Sequence, residues 1–281
     1  MAIILNGSEI ASKVNEELRT WASSLRGRGV APTLAMILVG EDMASKRYVE
    51  LKARRCRDVG VEAQIHGLPG DVSTGEAAEF VKRLSGDPSI HGVLVQLPLP
   101  EGVDELPVVE AIPPDKDVDG LSPTTLGRIL MGGKGFIPAG VEAIMELLKR
   151  YEIERERRHW VIAGRSIILG KPLAALLSNM DCAVTICDRE DPNLVDHMRA
   201  ADILIVDLGR KWFVKEEMVK ESAVVVDMGN NYEAGKVYGD VDFEKVKRRA
   251  SAITPVPGGV GPLLISMLIR NTLRAAERSR I

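Results

Sequence analysis

A tyrosine and a lysine on one helical segment are the first side chains that could do chemistry. Tyr48 and Lys52 lie four residues apart in ASKRYVELKARRCRDVG (44–60), so on a helix they share one face, one turn apart. The pair would bring together a hydroxyl and an amine, both of which handle protons in catalysis. The segment is also rich in basic residues, so an ordinary solvated helix face remains an open interpretation.

A glutamine follows an apolar run that is typical of a buried strand. Gln96 comes directly after Val93–Val95 and before the proline-rich segment LPLP (97–100), and it is one of two glutamines in the chain. Ligands bind at the carboxyl ends of parallel strands, so this position favours a binding side chain. An amide that only pairs with a loop carbonyl fits the position equally well.

Two loops add further candidate residues. PPDKDVDG (113–120) carries Asp115, Asp117 and Asp119, which form either a solvated acidic loop or a carboxylate acceptor for the N–H and amino groups of a heterocycle. TPVPGGVGP (254–262) is a long Pro/Gly loop whose composition indicates a shaped backbone near a ligand.

A possible nucleotide site follows the apolar segment HWVIAG (159–164). Gly164 permits a tight turn, Gly170 permits a close backbone approach, and the next helix would direct its N-terminal amides at an anion. Asp188 and Arg189 stand at the end of the next apolar run, where a nucleotide-binding unit contacts the ribose. Ser166 replaces the second glycine of the usual fingerprint, so an ordinary strand-to-helix turn stays open.

The elements that must position these residues alternate along the chain. Apolar runs that read as strands cover 33–40, 61–67, 90–100, 159–164, 182–188, 202–209, 222–229 and the start of 251–262. Segments with helical spacing cover 7–25, 44–60, 74–86, 141–151, 171–180, 193–201, 212–221, 243–250 and 263–280. The alternation predicts βαβ units and a parallel sheet. Residues 101–123 read as loop and short turns, with a domain junction near 119–140.

Composition narrows the class of protein. The chain has 281 residues, 45% of them hydrophobic and 27% charged, and a net charge of −3. These values exclude a disordered, collagen-like or coiled-coil protein and give no sign of a nucleic-acid partner. Cys56, Cys182 and Cys187 form no CxxC pair, and no signal peptide is visible, which together favour a reducing cytosol. We expect no membrane span and no metal site.

Six motifs in this order carry a resemblance to one family. They are ASxxYVxxK (44–52), GVLVQLPLP (92–100), PxKDVDG (114–120), GRSxxxGKP (164–172), GDVDF (239–243) and TPVPGGVGP (254–262). Each motif is modest alone, but together they resemble the bifunctional methylenetetrahydrofolate dehydrogenase/cyclohydrolase family over nearly the whole chain.

The resemblance implies an α/β fold in two domains. It implies an N-terminal α/β catalytic, folate-binding domain over 1–120, on which the C-terminal helix 263–281 packs. It also implies a Rossmann-like parallel-sheet NAD(P)-binding domain over 121–262, with a cleft between the two domains. The expected assembly is a homodimer in the cytoplasm. The implied activity is oxidation of 5,10-methylenetetrahydrofolate with NADP, followed by hydrolysis of 5,10-methenyltetrahydrofolate to 10-formyltetrahydrofolate.

The motifs also imply roles for single residues. Lys52 matches the catalytic lysine, with Tyr48 and Gln96 beside it; Tyr48 also belongs to the implied folate site, and Asp119 matches the carboxylate that holds the pterin. The remaining implied substrate contacts are Pro257, Gly258 and Gly259. The implied cofactor residues are Gly164, Arg165, Ser166, Arg189 and Asn230. A neutral Lys52 could serve as a base or proton shuttle, and no metal is required.

Several positions depart from the family pattern. Phe136-Ile137 stand where Cys-Thr is common, and Leu264 stands where Thr is common. Asp188-Arg189 replace His-Ser, which bears on the choice between NADP and NAD. Successive strand residues point to opposite faces, so we expect only one of the two to face the ribose. Arg189 occupies the position of the family's phosphate-contacting Ser, so the resemblance implies that Arg189 faces the ribose and Asp188 faces away, which favours NADP.

Three other functions remain possible at this stage. The first is a monofunctional NAD(P)-dependent methylenetetrahydrofolate dehydrogenase. The second is a shikimate-type dehydrogenase, and the third is a nucleotide-binding regulator without catalysis.

Overall fold

The computed structural model describes residues 2–279, which divide into two compact units. The three-stranded unit comprises residues 13–129, 133–139 and 265–279, and the six-stranded unit comprises residues 2–12, 130–132 and 140–264. Residue 1 and the last two positions of the expected C-terminal helix, 280 and 281, lie outside the described residues.

The strands and helices follow the expected alternation. The strands are β1 (Ile3–Ile4), β2 (Thr33–Val39), β3 (Glu62–Leu68), β4 (Gly92–Val95), β5 (His159–Ala163), β6 (Ala183–Cys187), β7 (Ile203–Val206), β8 (Val224–Asp227), β9 (Asn231–Glu233), β10 (Lys236–Tyr238) and β11 (Ala252–Ile253). The helices are α1 (Gly7–Gly27), α2 (Met43–Asp58), α3 (Thr74–Ser85), α4 (Glu105–Glu110), α5 (Pro123–Leu130), α6 (Ala139–Arg150), α7 (Gly170–Leu177), α8 (Leu194–Ala200), α9 (Phe243–Val246) and α10 (Gly261–Arg278).

The three-stranded unit is built on a parallel sheet in the order β3-β2-β4. All seven residues of the central strand β2 are buried, as expected when both faces of a parallel strand are covered. A capping box fixes the start of α3, where Ser73 and Glu76 bond to each other's backbone N–H groups. In α10, Asn271 Nδ2 donates to the carbonyl oxygens of Val118 and Ile137 at 3.0 and 3.1 Å.

The six-stranded unit contains a parallel sheet in the order β1-β11-β8-β7-β5-β6. The central strands β5, β7 and β8 consist mostly of buried apolar residues, with His159 at the start of β5 and Asp227 at the end of β8 as the polar exceptions. The prediction of an α/β fold with a doubly covered parallel sheet is therefore confirmed. β9 and β10 form an antiparallel hairpin whose turn lies at Ala234-Gly235.

The structure differs from the sequence-based expectation in several places. Residues 121–129 and 133–139 group with the three-stranded unit rather than with the expected domain over 121–262. Residues 2–12 group with the six-stranded unit rather than with the N-terminal domain, because β1 pairs in parallel with β11. The segment 101–123 contains the short helix α4, which Asp104 caps by accepting from the N–H of Leu106. The helix expected at 212–221 is a single 3-10 turn, Glu216–Met218, because the residues on either side, Lys215 and Val219, have an extended backbone.

Candidate active site and cofactor loop

The lysine site, defined as Tyr48, Lys52, Gln96 and Asp119, is organised around α2. Asp42 begins this helix by accepting from the N–H of Ser45 at 2.7 Å. One turn apart on α2, Lys52 Nζ lies 4.7 Å from the centre of the Tyr48 ring. Lys52 is 5% exposed, whereas Tyr48 is 37% exposed, so the ring covers the lysine on one side and meets solvent on the other.

Gln96 reaches Lys52 from the carboxyl end of β4. Its backbone N–H donates to the carbonyl of Ile37 on β2, which fixes the amide next to the strand end. The side-chain Oε1 accepts from Lys52 Nζ at 3.0 Å, and Nε2 donates to the carbonyl of Leu97 at 2.7 Å. The amide thus pairs with a loop carbonyl, and that pairing aims its oxygen at the lysine, while contact of Gln96 with a ligand stays a prediction.

The three aspartates of the acidic loop have different environments. Asp117 is buried and organises the loop, since its carboxylate accepts from the N–H groups of Gly120, Leu121 and Ser122. Asp119 interacts electrostatically with Lys52 and Tyr48, whereas Asp115 is exposed. Only Asp119 joins the lysine site.

Burial controls the protonation of this site. Burial lowers the pKa of Lys52, and the charge of Asp119 acts against that change. Burial raises the pKa of Asp119, with Lys52 acting in the opposite direction, and burial raises the pKa of Tyr48 to about 12. Burial therefore makes the neutral amine at Lys52 easier to reach than it is for an exposed lysine.

A residue that the sequence analysis did not assign to the site lies one turn below Lys52. Cys56 is fully buried, and burial raises the pKa of its thiol to about 12. Cys56 therefore places a neutral thiol one helical turn from Lys52. Its i+4 spacing from Lys52 was the available signal.

The Pro/Gly loop 254–262 belongs to the six-stranded unit, unlike the lysine site. The carbonyl of Gly258 accepts from the N–H of Ser8 at 3.1 Å. A Cβ atom on Gly7 would lie 1.8 Å from the carbonyl oxygen of Gly259, so the loop and the start of α1 approach through bare backbone. Pro257 follows a cis peptide bond. The implied contacts of Pro257, Gly258 and Gly259 with substrate stay a prediction.

The phosphate loop, residues 164–170, joins β5 to α7 through contacts that exclude side chains. The N–H of Gly164 donates to the carbonyl of Cys187 at 2.9 Å. Gly164 has a φ of +133°, and a Cβ atom there would lie 2.2 Å from the carbonyl oxygen of Asp207. A Cβ atom on Gly170 would lie 2.0 Å from the carbonyl oxygen of Gly164. This tight turn before a helix N-terminus fits the pyrophosphate of a dinucleotide.

Polar side chains surround the phosphate loop. Ser166 Oγ donates to Asp207 Oδ2 at 2.9 Å, which fixes the serine at the end of β7. Arg165 projects outward with a 67% exposed side chain and pairs with Asp188 at 2.7 Å. Arg165 and Ser166 thus both lie in the turn before α7 with carboxylate partners, and their contacts with a bound phosphate stay a prediction.

The expected orientation of Asp188 is wrong. β6 ends at Cys187, so the strand alternation does not extend to Asp188 and Arg189. Asp188 turns towards the phosphate loop and pairs with Arg165, while the Arg189 guanidinium pairs with Glu190 at 3.6 Å. Both residues remain at the carboxyl end of β6, where a ribose would bind.

Two buried aspartates that the sequence analysis did not assign to a site shape the loops beside the phosphate loop. Asp240 accepts from the N–H groups of Leu208, Gly209 and Arg210 and from Asn231 Nδ2. Asp227 accepts from three further N–H groups, and burial raises its pKa to about 7. Asn230, which is exposed, lies in the segment that these carboxylates hold.

Two features, a metal site and a helix that could span a membrane, are not found in the described residues. Between residues 2 and 279, no cluster of three His, Cys, Asp or Glu side chains is arranged to hold a metal ion. Over the same range, no helix has the length and apolar character that crossing a membrane requires.

Comparisons with known proteins place the chain beside folate enzymes. Residues 5–119 match the tetrahydrofolate dehydrogenase/cyclohydrolase catalytic domain, and residues 138–280 match the NAD(P)-binding domain of the same family. The bifunctional protein FolD of Methanoculleus marisnigri is 49% identical over 98% of this chain and 96% of its own length. FolD of Halalkalibacterium halodurans is 45% identical over 98% of this chain and 99% of its own length.

Solved structures agree with these matches. The bifunctional FolD enzyme from Campylobacter jejuni superimposes with a TM-score of 0.97 at 40% identity, covering 100% of both chains. The Trypanosoma brucei methylenetetrahydrofolate dehydrogenase-cyclohydrolase, solved with NADP cofactor and inhibitor, superimposes with a TM-score of 0.93 at 34% identity, covering 99% of this chain and 98% of that one. A shikimate dehydrogenase reaches a TM-score of only 0.51 at 14% identity, which is a likeness of fold alone.

Proposed function

Because this chain belongs to the tetrahydrofolate dehydrogenase/cyclohydrolase family, we propose that it catalyses both reactions of that family. It oxidises 5,10-methylenetetrahydrofolate to 5,10-methenyltetrahydrofolate with NADP, and it hydrolyses the methenyl product to 10-formyltetrahydrofolate. The observation that carries this proposal is the buried Lys52 amine, 3.0 Å from Gln96 Oε1 and beside Asp119.

The dehydrogenase step requires a folate that is bound in a fixed position and a hydride acceptor next to it. We propose that Asp119 accepts hydrogen bonds from the pterin and that Tyr48, whose ring is partly exposed, supports the folate by contact. Pro257, Gly258 and Gly259 would add backbone contacts. Gly164, Arg165, Ser166, Arg189 and Asn230 would hold NADP, which supplies the hydride acceptor when bound.

The product of oxidation is a cation, so a neutral lysine next to it is more favourable than a charged one. A charged ammonium would repel the methenyl cation, whereas burial lowers the pKa of Lys52 and so shifts it towards the neutral amine. A neutral Lys52 can take a proton from the water that attacks the one-carbon bridge and return a proton as the ring opens. Gln96 positions the lysine through its Oε1, because its Nε2 is held by Leu97.

Lys52 also separates the bifunctional proposal from a monofunctional dehydrogenase. Hydride transfer does not require a proton-handling amine, whereas ring opening by water does. A lysine held in place by Gln96 beside Asp119 therefore supports retention of the hydrolytic step.

One spectrophotometric assay tests the function. Methylenetetrahydrofolate is added with NADP or with NAD, and the absorbance of the methenyl product is followed as it forms and then decays. We expect formation with NADP and subsequent hydrolysis. Formation without enzyme-dependent decay would support the monofunctional alternative, and no formation with either cofactor would contradict the proposal.

We also propose that the enzyme works as a homodimer in the cytoplasm. The three free cysteines, of which Cys56 and Cys187 are buried, support a reducing compartment. Sedimentation equilibrium tests the assembly, and a single species at the monomer mass of 30.6 kDa would contradict it. Fractionation of the source cells tests the compartment.

A further inference from the structure

Three arginines and two acidic residues meet at the carboxyl ends of β5, β6 and β7. The arginine cluster consists of Arg165, Arg189 and Arg210, and its acidic partners are Asp188 and Glu190. Arg165 belongs to the phosphate loop, and the N–H of Arg210 is fixed by the buried Asp240 at 2.8 Å. The cluster therefore lies where the adenosine end of a dinucleotide would bind.

Asp188 is held through both of its carboxylate oxygens. Oδ2 accepts from Arg165 Nε at 2.7 Å, and Oδ1 accepts from the N–H of Arg189 at 2.8 Å. Its side chain is 28% exposed, so water screens it only in part. Asp188 is thus a fixed negative charge attached to the arginine that a phosphate would use.

Glu190 provides a contrast within the same cluster. It lies 3.4 Å from Arg210 and 3.6 Å from Arg189, but its side chain is 75% exposed. Long contacts between exposed charges contribute little, because solvent and salt screen them. Glu190 therefore gives way to an incoming anion much more easily than Asp188.

The two nicotinamide dinucleotides differ at this place by one group. NADP carries a 2′-phosphate, which needs guanidinium partners and is repelled by a carboxylate. NAD carries a 2′-hydroxyl, which can donate to a carboxylate. A single carboxylate at this position therefore weakens the binding of NADP and strengthens the binding of NAD.

We propose that Asp188 is a specificity-determining residue that competes with the 2′-phosphate of NADP for Arg165 and so limits the preference of this enzyme for NADP over NAD. The inference rests on the proposed dehydrogenase function. Phosphate binding requires the Arg165 guanidinium to leave Asp188, and the carboxylate that remains opposes the phosphate charge. NAD binding leaves the Arg165–Asp188 pair in place.

The test is direct binding of NADP⁺ and of NAD⁺ to the folded protein, measured by titration calorimetry without folate. In Asp188→Asn the side-chain oxygen can still accept from the N–H of Arg189, but the charge is gone. We expect NADP⁺ to bind about tenfold more tightly and NAD⁺ to bind equally or more weakly, so that the ratio of the two dissociation constants changes by about tenfold or more.

Two matched variants control for general charge. Glu190→Gln removes a charge from the same cluster, and Asp196→Asn removes one from the exposed surface of α8, where Asp196 pairs with Arg199. Both should change the ratio by less than about threefold. Thermal unfolding verifies that each variant is folded, and Asp188→Ser serves as a second variant if the asparagine form is not.

The outcomes separate this inference from the proposed function. An Asp188→Asn ratio within twofold of wild type overturns the inference alone, as does an equal gain for both dinucleotides or an equal effect of Glu190→Gln. A wild-type protein that binds neither dinucleotide overturns the inference together with the proposed function.

Discussion

At the scale of single residues, the pKa of Lys52 depends on its burial and on the hydrogen bonds and charges of the side chains around it. Lys52 loses water on burial and has Gln96 Oε1 as an acceptor, and Asp119 opposes the fall in its pKa. The partly exposed Tyr48 ring shields the amine while leaving a surface on which a substrate can rest. Each residue can therefore be tested by a change that leaves its neighbours in place.

Replacing Lys52 with methionine should abolish hydrolysis while the protein still binds its cofactor. Methionine keeps an apolar stem of similar length in the buried position but removes the amine. Loss of a positioned proton acceptor lowers a rate by about 10²–10⁴-fold. The measurement is the enzyme-dependent decay of methenyltetrahydrofolate, with NADP⁺ affinity determined on the same sample.

Lys46→Met is the matched control, because Lys46 lies on the same helix with a 40% exposed side chain. It should hydrolyse at the wild-type rate. Near wild-type hydrolysis by Lys52→Met would show that another group handles the proton.

Replacing Asp119 with asparagine should weaken folate binding and leave NADP⁺ binding nearly unchanged. A carboxylate that accepts hydrogen bonds from a pterin loses the charge-assisted part on amidation, which is about 1.5–3 kcal/mol. Calorimetric titration with tetrahydrofolate and with NADP⁺ measures both affinities. Asp115→Asn, an exposed position in the same loop, is the control. Equal losses for both ligands, or none for either, would contradict the assignment.

At the scale of elements, buried carboxylates fix the loops on which candidate site residues lie. Asp117 fixes the acidic loop by accepting three N–H groups, so that Asp119, two residues on, joins the lysine site. Asp240 and Asp227 do the same for the loops after β7 and β8. Buried carboxylates that accept several backbone N–H groups satisfy donors that a loop could not pair by itself.

The phosphate loop should not tolerate a side chain at Gly164. In Gly164→Ala the Cβ atom would lie 2.2 Å from the Asp207 carbonyl oxygen at a φ of +133°, so the backbone has to move. We expect NADP⁺ affinity to fall by more than tenfold, about 1.4 kcal/mol, as measured by calorimetry.

Gly235→Ala separates backbone strain from the loss of the site. Gly235 also has a positive φ, +79°, but a Cβ atom there meets no atom within 4 Å. This variant should lose about 1 kcal/mol of stability and keep its NADP⁺ affinity. Equal NADP⁺ affinity in both alanine variants would refute the role given to Gly164.

Asp227 should make stability depend on pH. Burial raises its pKa to about 7 in the folded protein, above the value of 3.8 for an exposed aspartate. Between these two values the folded state binds more protons than the unfolded state, so this residue's contribution to stability falls as the pH rises from about 4 to about 7.

Chemical denaturation of wild type and Asp227→Asn at pH 5 and pH 8 measures this contribution. Asparagine cannot ionise, and its amide nitrogen cannot accept from the N–H of Val241 as Oδ2 does. The stability advantage of wild type over the variant should therefore be larger at pH 5 than at pH 8. A difference that stays constant or grows with pH would contradict the raised pKa.

At the scale of the whole molecule, the candidate site residues divide between the two units. The lysine site lies within the three-stranded unit, and the phosphate loop and arginine cluster lie within the six-stranded unit. We therefore expect the two ligands to leave separate footprints in hydrogen exchange. NADP⁺ should slow amide exchange mainly in 159–170 and 187–210, and a folate analogue mainly in 44–56 and 92–122.

The size of this protection can be calculated from affinity. A ligand present at about 100 times its dissociation constant stabilises the state that binds it by about 2.7 kcal/mol. Mass-resolved exchange with each ligand alone measures the effect, and uniform protection by NADP⁺ of both sets of peptides would contradict separate sites.

The sequence by itself determined the class of fold and most of the candidate residues. Apolar runs separated by helical segments leave a parallel sheet as the arrangement that buries them, and the bounds of β2, α3 and β5 agree with the patterns within about one residue. Gln96 and Lys52 were found because an amide after a buried strand and an amine on a helix are local signals. The motifs that contain these two residues were among the six on which the resemblance to the family rests.

Only the tertiary structure decided which of these residues meet. The pairing of Lys52 with Gln96 joins positions 44 residues apart, and the separate roles of Asp115, Asp117 and Asp119 depend on which N–H groups the folded loop presents. β1 consists of two residues, too short for a periodic signal, and exists because β11 offers an edge. Asp188 turns towards Arg165 because β6 ends one residue earlier, and strand alternation says nothing about side chains beyond the last ladder hydrogen bond.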